Sequence, residues 1–91
     1  MPLNWTASAQ RDLVRLHAFL APVNPRAAAN VVQPLVAGAG QLLSHRQIGV
    51  QLDEFAPREV RRVLIGDYEL RYEVTDTAIY ILRLWHTRED R

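Results

Sequence analysis

Residues 59–74 read Glu-Val-Arg-Arg-Val-Leu-Ile-Gly-Asp-Tyr-Glu-Leu-Arg-Tyr-Glu-Val, and residues 79–91 read Ile-Tyr-Ile-Leu-Arg-Leu-Trp-His-Thr-Arg-Glu-Asp-Arg. Val60 to Ile65 is apolar and β-branched around Arg61 and Arg62, which predicts a strand. Tyr68, Leu70, Tyr72 and Val74 alternate with Glu69, Arg71 and Glu73, the pattern of a half-buried antiparallel strand with one wet face. Gly66-Asp67 and Thr75-Asp76-Thr77 are the turns between these runs. Ala78 to Trp85 is apolar on both faces except at Arg83 and reads as the central strand. It breaks into His86, Arg88, Glu89, Asp90 and Arg91, so a core element delivers a polar cluster to the surface.

Upstream the period changes from two residues to about 3.6. Leu3-Asn4-Trp5 is short and β-prone, and Thr6 or Ser8 offers an N-cap. Ala9, Leu13, Leu16 and Leu20 then fall on one helix face, with Arg11, Asp12 and Arg15 elsewhere. Pro22 and Pro25 end this helix, and Pro25 is suited to the first turn of a second. Ala28, Val32, Leu35, Ala39 and Leu42 form the second stripe; Pro34 is expected to kink it, and Gly38 and Gly40 weaken its end. The short connection predicts an antiparallel helical hairpin. Residues 44–57, with His45, Gly49 and Pro57, read as a long connection. The order β-α-α-β-β-β gives an α+β fold: an N-terminal strand and a helical hairpin packed on one face of an antiparallel sheet, with residues 1–91 as a single domain.

The chain has 91 residues, nearly half of them hydrophobic, enough for one small core and no second. It has no cysteine, which excludes disulfides, thiolate metal sites and cysteine nucleophiles and fits a reducing cytoplasm. No apolar run approaches the ~20 residues of a membrane span, and the N-terminus lacks the basic start and apolar core of a signal peptide. A cytoplasmic protein without membrane contact is expected. The net charge is only +1, a weak basic excess for a protein that lives on phosphate backbones. All eleven basic residues are arginine. Arginine stays protonated, so no lysine is available as a general base.

Few side chains carry chemistry by spacing alone. His17, His45 and His86 show no metal-ligand spacing, and neither a metal nor a cofactor is expected. Gly38-Ala39-Gly40 lacks the rest of a phosphate-binding loop. Arg61 and Arg62 are adjacent on a strand and so point to opposite faces; pairing with Glu59, Glu69 or Glu73 is the simpler role, and a phosphate or target contact the sharper one. Arg83, inside an apolar strand, calls for a carboxylate partner. His86 suits a hydrogen-bonded place at the strand end, or acid–base work near neutrality. Trp5 and Trp85 fit the ends of the core better than a base-stacking role. A sheet with helices on one face leaves its other face open to a partner, as a helix in a groove or an added strand.

Several segments in this order carry a resemblance. Trp5 to Leu13 (Trp-Thr-x-x-Ala-x-x-Asp-Leu), Ile48-Gly49, Val60-Arg61-Arg62, Gly66 to Tyr72 (Gly-Asp-Tyr-x-Leu-x-Tyr) and the ending Leu84-Trp85-His86-x-Arg88-Glu89-Asp90 resemble the RelE/ParE superfamily of bacterial toxins over nearly the whole chain. The resemblance implies a type II toxin–antitoxin module of the kind that stabilises plasmids. A cognate antitoxin, expected to be of ribbon-helix-helix type, would neutralise the toxin, which would not itself bind DNA sequence-specifically.

The superfamily implies two activities. RelE-like members cleave mRNA on the ribosome; ParE-like members poison DNA gyrase. Here the sheet lysines of RelE-like ribonucleases are absent, Glu69 stands where they often place a cation, and no tyrosine follows Trp85. The ending is closer to the ParE style, and the resemblance therefore points to a gyrase inhibitor with Arg61, Arg62, Arg83, His86 and Arg88 as target-binding candidates. If the protein were instead a nuclease, Arg62, His86 and Arg88 would be its catalytic candidates. A degenerate toxin that keeps only antitoxin binding is the third reading.

Overall fold

In the computed structural model, β1 (Leu3–Trp5) leads into α1 (Ala7–Leu20) and α2 (Pro25–Gln41). Then follow β2 (Val50–Gln51), a 3-10 turn (Asp53–Phe55), β3 (Glu59–Ile65), β4 (Tyr68–Val74) and β5 (Ile79–His86). The structure describes residues 1–22 and 24–89, apart from the side chains of Phe19 and Leu20. Leu20 of the expected helix stripe, and Asp90 and Arg91 of the terminal cluster, lie outside that description.

The helix boundaries follow from their caps. Thr6 accepts the Ala9 N–H at 3.1 Å and gives its own hydroxyl proton to the Leu82 carbonyl at 3.1 Å, so one residue starts α1 and ties it to β5. Asn24 caps α2 by accepting from the N–H groups of Arg26 and Ala27, with Pro25 in the first turn. The helix runs through Pro34 without interruption of its span.

The sheet has five strands in the order β1-β5-β4-β3-β2. The hairpins β3–β4 and β4–β5 and the pair β2–β3 are antiparallel, but β1 lies parallel to β5, so the sheet is mixed rather than wholly antiparallel. A chain that leaves β1 into a helical hairpin and returns through three strands brings β5 alongside β1 in the same direction. The connection over 44–57 is not without structure, since it holds β2 and the 3-10 turn. β4, not β5, is the middle strand, while β5 is an inner strand beside the short edge strand β1.

Both helices pack on one face, as expected. Ala9, Ala39 and Leu42 meet Leu70, Tyr72, Ile79 and Ile81 in the main core, and Leu16 and Leu35 meet Leu84 in a second cluster. The register explains which β5 residues take part. Arg71 pairs with Arg83 but Tyr72 pairs with Ile81, so Leu82 is an extra residue, a β-bulge. Strict alternation would place Ile79, Ile81 and Arg83 on one face. The bulge resets the phase, so Leu84 follows Ile79 and Ile81 into the core while Arg83 and Trp85 turn to the other side.

Leu16→Ala is expected to cost about 2–5 kcal/mol, as for other buried leucines, because Leu16 is 6% exposed against Leu35 and Leu84. Urea denaturation of the purified protein measures it; a loss below ~0.5 kcal/mol is the signature of a surface position.

Candidate functional site

The helix-free side of the sheet carries a layer of arginines and aromatic rings. Alternation along β4 puts Glu69, Arg71 and Glu73 there, and the cross-strand partners of these residues add Arg62 from β3 and Arg83 and Trp85 from β5. The Arg71 guanidinium lies 4.9 Å from the Trp85 ring and 5.8 Å from the Phe55 ring, and that of Arg83 is 5.7 Å from Trp85. The positive groups face the electron-rich ring surfaces, a contact worth about 0.5–2 kcal/mol each depending on exposure. Trp85 therefore covers the core from the open side, where its ring is almost wholly buried.

Glu69 corrects the expectation of a wet face. It is buried, with Arg62 at 3.7 Å and Arg71 at 3.6 Å from its carboxylate oxygens. A buried carboxylate needs such cations, and two arginines here are partly engaged by it. Farther along the same face Arg58 grips Glu73 with bonds of 3.1 and 2.7 Å, and these bonds hold the Glu73 carboxyl below its ordinary range.

Arg83 has its carboxylate, but it is not buried: its side chain is about half exposed at the sheet edge. Asp12 on α1 accepts from Arg83 Nε at 2.7 Å and from Arg83 Nη2 at 3.3 Å, and also from the Leu84 N–H at 3.0 Å. β1 ends at Trp5, opposite Ile81, so the edge of β5 beyond it has no strand partner. The Asp12 carboxylate replaces the missing strand. Asp12 is buried, 71 residues from Arg83 in sequence, and spacing alone does not reveal it.

Arg61 faces the helix side, as the opposite-face expectation requires. It donates to Glu59 at 2.8 Å and to the Gly49 carbonyl at 2.8 Å, while Tyr72 accepts from the Gly49 N–H and donates to the Arg46 carbonyl, both at 2.9 Å. Burial pushes the Tyr72 hydroxyl above the ordinary phenol range, so it stays a donor. Gly49 fits because a Cβ there would lie 2.6 Å from the Arg62 carbonyl oxygen. Arg61 is thus spent on the loop before β2.

His86 pairs with Tyr68 in register and makes an edge-to-face ring contact with it at 5.1 Å, on the helix side at the strand's end. Its Nδ1 accepts the Arg88 N–H at 3.0 Å. Arg88 is exposed in the turn that follows, and Glu89 is tied back to α1 by Arg15 at 2.6 Å. The structure brings Arg62 and Arg83 onto one face with Arg71, and places Arg61, His86 and Arg88 elsewhere. Among the described residues no cluster suited to a metal ion occurs, and no helix is long and apolar enough to cross a membrane.

A helical hairpin on one face of a five-stranded mixed sheet matches the architecture of the ParE/RelE-like toxins. The model of the ParE toxin of the type II toxin–antitoxin system parDE matches residues 3–91, and the chain belongs to that family. A solved structure of the chromosomal ParDE toxin–antitoxin system from P. aeruginosa is similar at a TM-score of 0.78 and 25% identity, covering 94% of this chain and 95% of that one. The toxin–antitoxin complex RelBE2 from Mycobacterium tuberculosis is similar at a TM-score of 0.58 and 30% identity, covering 93% of this chain and 95% of that one. A comparison with curated protein sequences gives no match.

Asp12→Ala is expected to lower stability by about 1–3 kcal/mol, the cost of leaving a buried donor without its acceptor, here the Leu84 N–H. Asp12→Asn keeps an acceptor oxygen and is expected to lose less. Chemical denaturation of both variants measures the difference, and equal stability of Asp12→Ala and the native chain would remove Asp12 from the edge.

Proposed function

We propose that this toxin acts as a binding module that inhibits DNA gyrase and is held inactive by a cognate antitoxin of ribbon-helix-helix type in the cytoplasm. The observation that carries the choice of target is the separation of the nuclease candidates. Arg62 lies on the open face, whereas His86 lies on the helix side with its Nδ1 occupied and Arg88 projects from the turn beyond. General acid–base cleavage needs its groups within hydrogen-bond reach of one phosphate, and this arrangement does not supply that convergence. Glu69, between Arg62 and Arg71, adds negative charge to the only cation cluster on the open face among the described residues.

The family assignment over residues 3–91 supports the same reading. The exposed guanidiniums of Arg62, Arg83 and Arg88 are the proposed contacts with the target. Of these, Arg88 is free of the ion pairs that hold the fold together among the described residues, so it is the residue through which target binding can be tested without unfolding the protein. The structural similarity to RelBE2 keeps the ribosome-dependent endonuclease as the second reading.

Controlled expression in bacteria is expected to arrest growth, with relief by the antitoxin. Purified protein is expected to inhibit gyrase supercoiling or stabilise cleaved DNA and to leave ribosome-bound mRNA intact. Arg88→Ala is expected to weaken toxicity at least tenfold with unchanged folding. Codon-specific mRNA cuts that vanish in Arg88→Ala or His86→Ala, with gyrase unaffected by the native protein, would install the endonuclease.

A further inference from the structure

Four charged side chains alternate in sign along the edge of β5 beyond β1. Arg83 donates to Asp12 at 2.7 Å, Asp12 lies 3.6 Å from Arg15, and Arg15 donates to Glu89 at 2.6 Å. Asp12 and Arg15 are three residues apart on α1, so their side chains share one helix face. The other terminal nitrogen of Arg15 donates to the Leu84 carbonyl at 3.4 Å. A single guanidinium from the helix layer therefore meets the strand's main chain, the Asp12 anchor and the segment beyond the strand.

That segment is the turn at 87–89. The Thr87 N–H bonds the Asp67 carbonyl at 2.9 Å, the Arg88 N–H the His86 ring at 3.0 Å and the Glu89 N–H the His86 carbonyl at 3.0 Å. These bonds come from the sheet's own hairpin and strand end. Among the described residues the Arg15–Glu89 bond is the one hydrogen bond that ties the turn to the helices. Its side chains are 46% and 32% exposed, and an ion pair of that kind adds little to global stability. The buried contacts of Leu16 and Asp12 hold the layers together without it. Its effect is local. Arg88 is exposed, with its own N–H held by His86 and the next residue clamped by Arg15. Holding a contact residue in place before binding removes part of the ordering cost that binding otherwise carries.

We infer that Arg15 is a positioning residue for target binding, which acts through Glu89 to fix the turn that presents Arg88. This rests on the reading of Arg88 as a target contact and names what sets its place. The same chain of charges fixes Arg83 through Asp12, so two of the three proposed contacts share one frame on α1. Arginine suits the role because its planar fork bonds the Glu89 carboxylate and the Leu84 carbonyl at once. A loosened turn leaves the Arg88 guanidinium chemically intact but no longer placed, so the loss falls on binding rather than on folding.

The test is a mutant cycle on growth arrest in bacteria at matched soluble levels, with the order of the turn read separately by backbone amide relaxation of the purified toxin. Arg15→Gln and Glu89→Ala are each expected to weaken toxicity at least threefold with the urea midpoint unchanged, and Arg15→Lys to keep most of the native toxicity. Because both act through Arg88, neither is expected to weaken Arg88→Ala any further. The Glu89 amide order parameter is expected to fall from a rigid-backbone value of ~0.85 toward ~0.6 in both variants. Arg11→Gln removes the same charge from the same helix, at an exposed site bonded to Ser8, and is expected to leave toxicity unchanged. Full toxicity in Glu89→Ala, losses that add to that of Arg88→Ala, or a turn that stays rigid in Arg15→Gln overturns the inference while Arg88 remains a contact. A urea midpoint that falls with toxicity would make Arg15 merely structural, and an equal loss in Arg11→Gln would make the effect one of net charge; either overturns it. Full toxicity in Arg88→Ala removes the contact itself, and the inference falls with it. Growth arrest is read whichever target is hit, so these outcomes are separate from the choice of gyrase.

Discussion

A carboxylate at the end of a short strand holds this molecule's two layers in register. β1 is three residues long, so the inner strand β5 runs past it with main-chain groups that need partners. Asp12 supplies one from α1, accepting from Leu84 N–H, and draws Arg83 around the edge with it. An unsatisfied buried donor is costly, so α1 cannot slide along the sheet without exposing it. Thr6 acts in the same sense at the start of α1, capping the helix and bonding the Leu82 carbonyl. The bulge at Leu82 falls at the Thr6 anchor. It sends Leu84 inward and Arg83 and Trp85 outward.

The consequence for function is a division of surfaces. The helix side is closed by aliphatic packing, with Arg61 and His86 spent on a loop and on the terminal turn. The open side is polar, built from guanidiniums over aromatic rings with Glu69 among them. Exposed apolar side chains lie beside the β3 edge, at Ile48 and Leu64, and on α1, at Val14. A chain of 91 residues is too small to build separate domains, so these surfaces share one small core.

Much of the fold is legible in the chain because its signals are local. The Thr6 cap, the stripe of Ala9, Leu13 and Leu16, the prolines between the helices and the Gly66-Asp67 turn each act over a few residues, and the structure places each in the role its spacing implies. What was not legible is non-local. A bulge is set by the neighbouring strand and leaves no mark in the run Ile-Leu-Arg-Leu, so the segment reads as apolar on both faces. β2 is too short to show a period. The partner of Arg83 lies 71 residues away. Glu69 reads as a wet-face residue by alternation, since the arginines and the tryptophan that cover that face come from three different strands. Phe55, in a segment read as a plain connection, meets Arg71 only through the 3-10 turn.

Arg62 and His86 lie on opposite sides of the sheet, which sets them apart from two groups flanking one reacting phosphate. A double-mutant cycle on toxicity measures this directly, with Arg62→Ala, His86→Ala and the pair expressed at matched soluble levels and growth arrest scored on a logarithmic scale. Residues that act as a unit are strongly non-additive, each single loss costing about as much as both, whereas independent sites add. Additive losses, within experimental error, are expected. Two single substitutions that each abolish toxicity as fully as the pair would contradict the separation and return the two side chains to one catalytic site.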